Sequence, residues 1–283
     1  MLSSKLTIEH EEFLLLREYI QKECGIVLGD EKMQMIENHL APLVIEHDCS
    51  SFKEFYTKAR KDTTRRIRNQ IIEAMTTHET LWFRDGKPWA LLEDLILPKF
   101  ISLLKQRRRE RIRIWSAGAA TGQEPYSIAI LVYEALIGNL RVNPESFDIL
   151  ATDISPSSLY VAISGRYDSI SMARGMASRY RDKYFREDDH VYEVSNKLRQ
   201  LVSFKQFDLQ HAFVKIPACD LILCRNVSNK FSPKEKRKLY NNIFNILGSD
   251  GFLILGSNEE LIEYSDQFEK AESNGCTFYQ PRK

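Results

Sequence analysis

No run of about 18 apolar residues occurs anywhere in the chain, so no segment reads as a membrane-spanning helix. The opening Met1-Leu-Ser-Ser-Lys5 lacks the apolar core of a secretory signal, and a cytoplasmic location is expected. Cysteine is sparse: Cys24, Cys49, Cys219, Cys224 and Cys276 are scattered, odd in number and without a C-x-x-C pair, which excludes a disulfide framework and reads as reduced thiols. The six histidines show no H-E-x-x-H or other ligand spacing, so no metal site is expected. Charge of one sign is also missing. A formal net charge of +1 argues against a general nucleic-acid binder. No internal repeat or low-complexity tract appears. What remains is a globular composition, 43% hydrophobic and 28% charged, in 283 residues, enough for one large domain or two modest ones.

The most informative stretch is Arg111-Ile-Arg-Ile-Trp-Ser-Ala-Gly-Ala-Ala-Thr-Gly-Gln-Glu-Pro-Tyr-Ser127. Ile112 and Ile114 alternate with polar neighbours as in a strand, and small residues follow to Gly122. A helical pattern then starts near Glu124-Pro125 and continues through Ile128, Leu131, Val132 and Leu136. Strand, glycine-containing turn and helix form the opening unit of a nucleotide-binding α/β domain. Gly118 and Gly122 allow close backbone approach, and the helix start offers free N–H donors. The turn is neither G-x-G-x-x-G nor closed by a Lys-[Ser/Thr] pair, so an adenosyl ligand without phosphates fits better than a dinucleotide or a triphosphate. An ordinary tight turn without a ligand stays open on this stretch alone.

Residues from about 8 to 85 show helical periodicity only. Phe13, Leu16 and Ile20 share a face, with Gly25 as a stop. Met33, Ile36, Leu40, Leu43 and Val44 suggest a second helix interrupted at Pro42. Ser50-Ser51 can cap a third, and Ile67, Ile71, Ala74 and Met75 mark a fourth. Lys58 to Arg68 holds six basic residues against one acid. A helix there would place Lys61, Arg65 and Arg68 on one face, which is either solvated or meets an acidic partner. A second basic run, Lys105 to Arg113, reads as a solvated connection. Thr76-Thr-His-Glu-Thr-Leu-Trp-Phe-Arg-Asp85 is either a packed joint between domains or a ligand wall with Arg84 as an anion clamp.

Further strands are expected at Phe147–Asp153, Val202–Asp208, Asp220–Cys224, Phe252–Gly256 and Thr277–Tyr279, with a small antiparallel insertion at about 166–200 and a turn at Asp250-Gly251. Asp153 lies 35 residues after Gly118, about where a βαβ unit delivers a carboxylate to ribose hydroxyls. Ser116, Asp153, Asp208 and Asn226 then line one edge of the sheet.

Together, Ile114–Ser127, Leu150-Ala-Thr-Asp-Ile154, Asp220-Leu-Ile-Leu-Cys-Arg-Asn-Val227 and Thr80-Leu-Trp-Phe-Arg84 resemble the CheR family. These are S-adenosylmethionine-dependent methyltransferases that esterify glutamates of bacterial chemoreceptors. Gly25-Ile-Val-Leu-Gly-Asp-Glu-Lys32 fits the family's helical amino-terminal domain, and the likeness covers nearly the whole chain. It implies an α/β fold: a Rossmann-like class I methyltransferase sheet with a small inserted antiparallel β subdomain, preceded by an all-helical domain. The expected boundaries are 1–85 for the helical domain and 86–283 for the cofactor-binding domain.

The resemblance further implies that His78, Thr80 and Arg84 lie beside the sulfonium and carboxylate end of S-adenosylmethionine. Ala117 and Gly118 would form the turn under the cofactor, and Glu124 would contact its amino-acid part. Asp153, followed by Ile154, would hold the ribose hydroxyls. Asp208 and Leu209 would lie near the adenine, and Asn226 and Val227 would close the far wall. Arg84 and Lys230 would face the methyl acceptor. The family's Cys-Arg-Asn-Val, two apolar residues, Tyr-Phe reads here Cys224-Arg-Asn-Val-Ser-Asn-Lys-Phe231, so Lys230 stands in place of a tyrosine. Gln123 stands where the first Glu of Gly-Glu-Glu-Pro-Tyr is usual, and His78 where Asn is common. The implied activity is methyl transfer to receptor glutamates by a monomer that meets membranes only through its receptors. The implied partners are the cytoplasmic domains of methyl-accepting chemoreceptors. The alternative is a catalytically impaired sensor of S-adenosylmethionine or S-adenosylhomocysteine, or a receptor adaptor, of the same fold. The short Phe185–Val194 stretch leans against a tether for receptor tails.

Overall fold

The computed structural model describes residues 6–76, 79–139 and 141–282. The chain divides into two compact units. One comprises Met1–Thr77 with Lys230–Glu235, and the other comprises His78–Asn229 with Lys236–Lys283.

The first unit holds α1 (His10–Cys24), α2 (Met33–Glu46), α3 (Phe52–Lys61) and α4 (Arg66–Met75). Phe13, Leu16 and Ile20 of α1 pack with Ile36, Leu40 and Val44 of α2, Phe52 and Phe55 of α3, and Ile67 and Ile71 of α4, all buried. Gly25 ends α1 in the left-handed region at φ 78, and the Ser51 hydroxyl caps α3 by accepting from Glu54 N–H. Helix α2 continues past Pro42 to Glu46 instead of breaking there. Burial of Ile36, Leu40 and Val44, about 1.5–3 kcal/mol each, outweighs the proline's cost of about 3 kcal/mol.

The basic run also departs from expectation. A turn at Asp62 separates α3 from α4, with Arg65 in the left-handed region at φ 61, so Lys61, Arg65 and Arg68 do not share one helical face. Arg68 binds the Glu23 carboxylate and the Glu23 carbonyl. The Asp62 carboxylate accepts the Thr64 hydroxyl and the Ile67 N–H, a local capping arrangement that competes with helix continuation.

The second unit begins with α5 (Lys87–Leu91), a π-helical turn at Leu92–Ile96 and α6 (Leu97–Lys105). It continues with β1 (Ile112–Ala117), α7 (Gln123–Ala135), β2 (Phe147–Asp153) and α8 (Pro156–Ser164). The insertion follows: β3 (Arg166–Asp168), α9 (Ser169–Ala173), α10 (Ser178–Tyr184), β4 (Phe185–Asp188) and β5 (Val191–Val194). The remainder is α11 (Asn196–Arg199), β6 (Val202–Gln206), β7 (Cys219–Cys224), α12 (Pro233–Ile246, of which the residues from Lys236 on belong to this unit), β8 (Leu247–Leu255), β9 (Phe268–Ser273) and β10 (Cys276–Pro281).

Seven strands form one sheet in the order β6-β2-β1-β7-β8-β10-β9, parallel except for β10, which runs antiparallel to both β8 and β9. The insertion forms a separate antiparallel sheet, β3-β5-β4. Alternation sorts the central strands between two covered faces. Ile112, Ile114, Ile149, Leu221, Leu223 and Ile254 join the core with α6 and α7, whereas Trp115 meets Phe207 and Phe213 edge-on. The Asp250-Gly251 turn lies inside β8 as an irregularity: Cys219 pairs with Leu247, and Leu221 pairs with Phe252. A Cβ on Gly251 would lie 2.9 Å from the Gly248 carbonyl, so only glycine permits this fold of the strand.

Candidate functional site

Register brings the sequence candidates to one edge. Ala117 pairs with Thr152 on one side and Cys224 on the other, and Asp153 pairs with Gln206. Asp153, the last residue of β2, and Gly118, Asp208 and Asn226, just past β1, β6 and β7, therefore lie at the carboxyl ends of four neighbouring parallel strands. From β1 the chain builds outward to β2 and β6 on one side and to β7 and β8 on the other. The crevice at such a switch point is where open α/β sheets hold ligands.

The turn after β1 is fixed by its neighbours. Gly118 and Ala119 N–H both donate to the Thr152 carbonyl, at 2.8 and 2.9 Å. Ala120, at φ 46, donates its N–H to Asp153 Oδ2 at 2.8 Å, and Ser155 N–H donates to Oδ1 at 2.9 Å. Gly118 sits at φ +79, and a Cβ there would lie 2.5 Å from Val227 Cγ2. Only glycine lets the turn approach Val227 so closely. Gly122, at φ 94, starts α7, whose first turn contains Glu124.

Asp153 is 9% exposed. Asp208 accepts from Gln210 N–H at 2.9 Å, and Leu209 beside it is buried. The Ile154 carbonyl accepts from Gln206 Nε2. Asn226 occupies the left-handed region at φ 61, which asparagine tolerates better than most residues.

The Thr80–Arg84 segment belongs to the same unit as this edge. Trp82 is fully buried between Tyr167 and Phe185, edge-on to both, and its backbone N–H donates to the Arg174 carbonyl. Thr80 and Arg84 are half-buried. Phe83 and Asp85, on either side of Arg84, both have positive φ, 49 and 72. The Arg84 carbonyl is gripped from two directions, by Trp89 Nε1 at 2.9 Å and Arg225 Nη2 at 2.7 Å. Its guanidinium reaches the Glu79 carbonyl at 3.3 Å.

Arg225 is the residue that sequence reasoning passed over. Its side chain is 2% exposed and pairs with Asp85 at 2.7 Å and Glu124 at 2.9 Å, and Trp89 stacks on it at 5.6 Å. Glu124 also accepts from the Ser116 hydroxyl at 2.8 Å. One buried cation thus ties the Arg84 segment, the first turn of α7 and the end of β7 together. The signal was a cation placed directly after the apolar strand Leu221–Cys224, where a charge stays only if paired.

Eleven of the candidates, Thr80, Arg84, Ala117, Gly118, Glu124, Asp153, Ile154, Asp208, Leu209, Asn226 and Val227, lie in the sheet-bearing unit. His78 lies outside the described residues. Lys230 groups with the helical unit, where its carbonyl accepts from Val27 N–H at 3.0 Å. The donor set suits an adenosyl group: carboxylates at the ends of β2 and β6 can accept from ribose hydroxyls and an adenine amine. Among the described residues, no cluster of histidine, cysteine and carboxylate side chains could hold a metal ion, and no helix is long and apolar enough to cross a membrane.

Comparison with known proteins gives two family matches. Residues 78–276 match the CheR methyltransferase SAM-binding domain, and residues 11–76 match the CheR methyltransferase all-alpha domain. A chemotaxis protein methyltransferase of Vibrio parahaemolyticus is 34% identical over 275 residues, covering 97% of this chain and 98% of the relative. Chemotaxis protein methyltransferase 1 of Vibrio cholerae is 34% identical with the same coverage. Chemotaxis protein methyltransferase 1 of Pseudomonas aeruginosa is 32% identical over 280 residues, covering 98% and 100%.

Proposed function

Because the chain belongs to the CheR methyltransferase family, we propose that it transfers the methyl group of S-adenosylmethionine to glutamate side chains of chemoreceptor cytoplasmic domains, forming methyl esters. The observation that carries this reading is the family match over nearly the whole chain, joined to the Gly118 turn and strand-end carboxylates at the switch point. The relatives' names supply chemotaxis; the receptor and the glutamate are our reading. It includes a cytoplasmic location and a receptor-meeting role for the amino-terminal helical domain, residues 11–76.

S-Adenosylmethionine supplies an electrophilic methyl carbon on a sulfonium. A glutamate carboxylate is already ionised near pH 7, so the acceptor needs no general base. One carboxylate oxygen forms the new C–O bond while the C–S bond breaks and its electron pair neutralises the sulfonium. The protein's part is to orient the acceptor and exclude water. Asp153 and Asp208 would hold the nucleoside, Glu124 with Thr80 its amino-acid end, and Arg84 the acceptor carboxylate. In this reading Lys230 adds a second cation where the family has a neutral tyrosine. Too strong a hold on the ground-state carboxylate slows transfer, so these cations must orient more than they bind.

The test is filter capture of tritiated methyl groups on receptor cytoplasmic fragments. Arg84→Ala should abolish transfer while cofactor affinity falls only modestly. Lys230→Tyr should leave transfer equal or lower in an enzyme adapted to lysine. An inactive wild type made active by Lys230→Tyr would instead mark a degenerate binder.

A further inference from the structure

We infer that Glu259 is a positioning residue whose carboxylate clasps the turn after β7 and sets the Val227 wall against the Gly118 turn. Glu259 lies just beyond the end of β8, the strand beside β7, and the two strands are paired as far as Cys224 and Leu255. Four donors converge on it. Oε2 accepts from Asn226 N–H at 2.7 Å and Gly256 N–H at 2.8 Å. Oε1 accepts from the Ser228 hydroxyl at 2.8 Å and Asn229 N–H at 3.1 Å. A carboxylate is acceptor-only and has two oxygens, the one side chain of this length that can answer four donors at once.

Two further observations support the clasp. A Cβ on Gly256 would lie 2.8 Å from Asn226 N and 2.8 Å from Glu259 Oε2, so a glycine is what lets the two turns close on each other. Ser228 is 1% exposed, and its oxygen lies 2.9 Å from the Tyr240 hydroxyl. The Glu259 carboxylate can only accept, so the single Ser228 hydroxyl proton goes to it and the Tyr240 hydroxyl is the donor to Ser228. Ser228 stands where the family pattern has an apolar residue. The substitution is therefore matched inside this chain by a partner for its hydroxyl, with no unpaired polar group left behind.

The consequence passes through Val227. Asn226 and Asn229 N–H are held on either side of it, and its Cγ2 faces Gly118 across the space a methyl group would fill. Loosening the clasp frees the residue that closes the crevice. The inference rests on the proposal that the cofactor occupies this edge, and calorimetric titration of the full chain with S-adenosylhomocysteine separates the two.

Glu259→Gln turns one of the two acceptor ends into a donor. It should weaken S-adenosylhomocysteine binding about tenfold, and it should raise KM for S-adenosylmethionine while kcat for methyl transfer stays within about threefold. Ser228→Ala leaves three backbone donors in place and should weaken binding about threefold. A purely structural role would lower the melting temperature yet leave the folded fraction with wild-type affinity, and that result overturns the inference. Should Glu259→Gln fail to fold, Ser228→Ala decides, and unchanged affinity there overturns it as well. A wild type that binds no S-adenosylhomocysteine removes the functional reading itself, and the clasp as a cofactor device with it.

Discussion

Replacing Arg225 with methionine tests whether one buried cation organises the site. Methionine matches the length of the arginine stem and supplies no charge. The substitution removes three hydrogen bonds, to Asp85, Glu124 and the Arg84 carbonyl. It also leaves Glu124, only 12% exposed, without its cation. Removing one partner of a buried pair costs about 3–5 kcal/mol. Asp85 is 34% exposed and recovers water, so the lower end, about 3 kcal/mol, is expected here. For a unit of this size that is a fall of about 6–12 °C in melting temperature. Adding Glu124→Gln removes the stranded charge and should restore at least about 1 kcal/mol, a coupling that a double-mutant cycle reads directly. Thermal unfolding followed by circular dichroism supplies all four corners of the cycle. If Arg225→Met costs less than about 1 kcal/mol, or if the second substitution restores nothing, the pair is not buried as described and the reasoning fails.

Asp153→Ala should weaken S-adenosylmethionine binding at least about tenfold, through loss of a carboxylate contact worth about 1.5–3 kcal/mol; unchanged affinity by calorimetry removes Asp153 from the site. Gly118→Ala places a methyl group 2.5 Å from Val227 Cγ2 at φ +79, so it should cost about 1–3 kcal/mol and reduce cofactor affinity; wild-type melting and affinity together would contradict the close approach. For Glu134, burial pushes the carboxyl upward, but hydrogen bonds from Lys183 and Tyr184 prevail and hold it below its ordinary value. A depressed carboxyl contributes stability above its unfolded pKa and loses it as pH falls through the folded one. Acidification below the ordinary carboxylate range should therefore speed hydrogen exchange in α10, and Glu134→Gln should speed it already at pH 7, with identical exchange in both proteins as the contrary result.

Much of the fold was legible because it is local. The alternation at Ile112 and Ile114, the apolar run Leu221–Cys224 and the helical spacing after Gly122 each report burial within a single element. Strand β9 was not legible. It lies at the sheet edge, where only Phe268 is fully buried, so Phe268-Glu-Lys-Ala-Glu-Ser273 shows no clean alternation. The Asn274-Gly275 pair, both at positive φ, was the available signal for its hairpin with β10. The candidate site divides the same way. The Gly118 turn and the acid ending β2 follow from chain order. The Arg225 cluster joins partners 101 and 140 residues apart, and Glu259 reaches back 33 residues to Asn226. Such pairings depend on the order of strands across the sheet, which no single stretch of sequence carries.

The most direct test of the central claim is mass spectrometry of a receptor cytoplasmic fragment incubated with the full chain and S-adenosylmethionine. The account predicts the mass of one added methylene on glutamate-containing peptides, lost on mild alkaline hydrolysis as an ester must be. A fragment left unmodified under conditions where the protein binds the cofactor, or an alkali-stable methyl group on a lysine or arginine side chain, would contradict it.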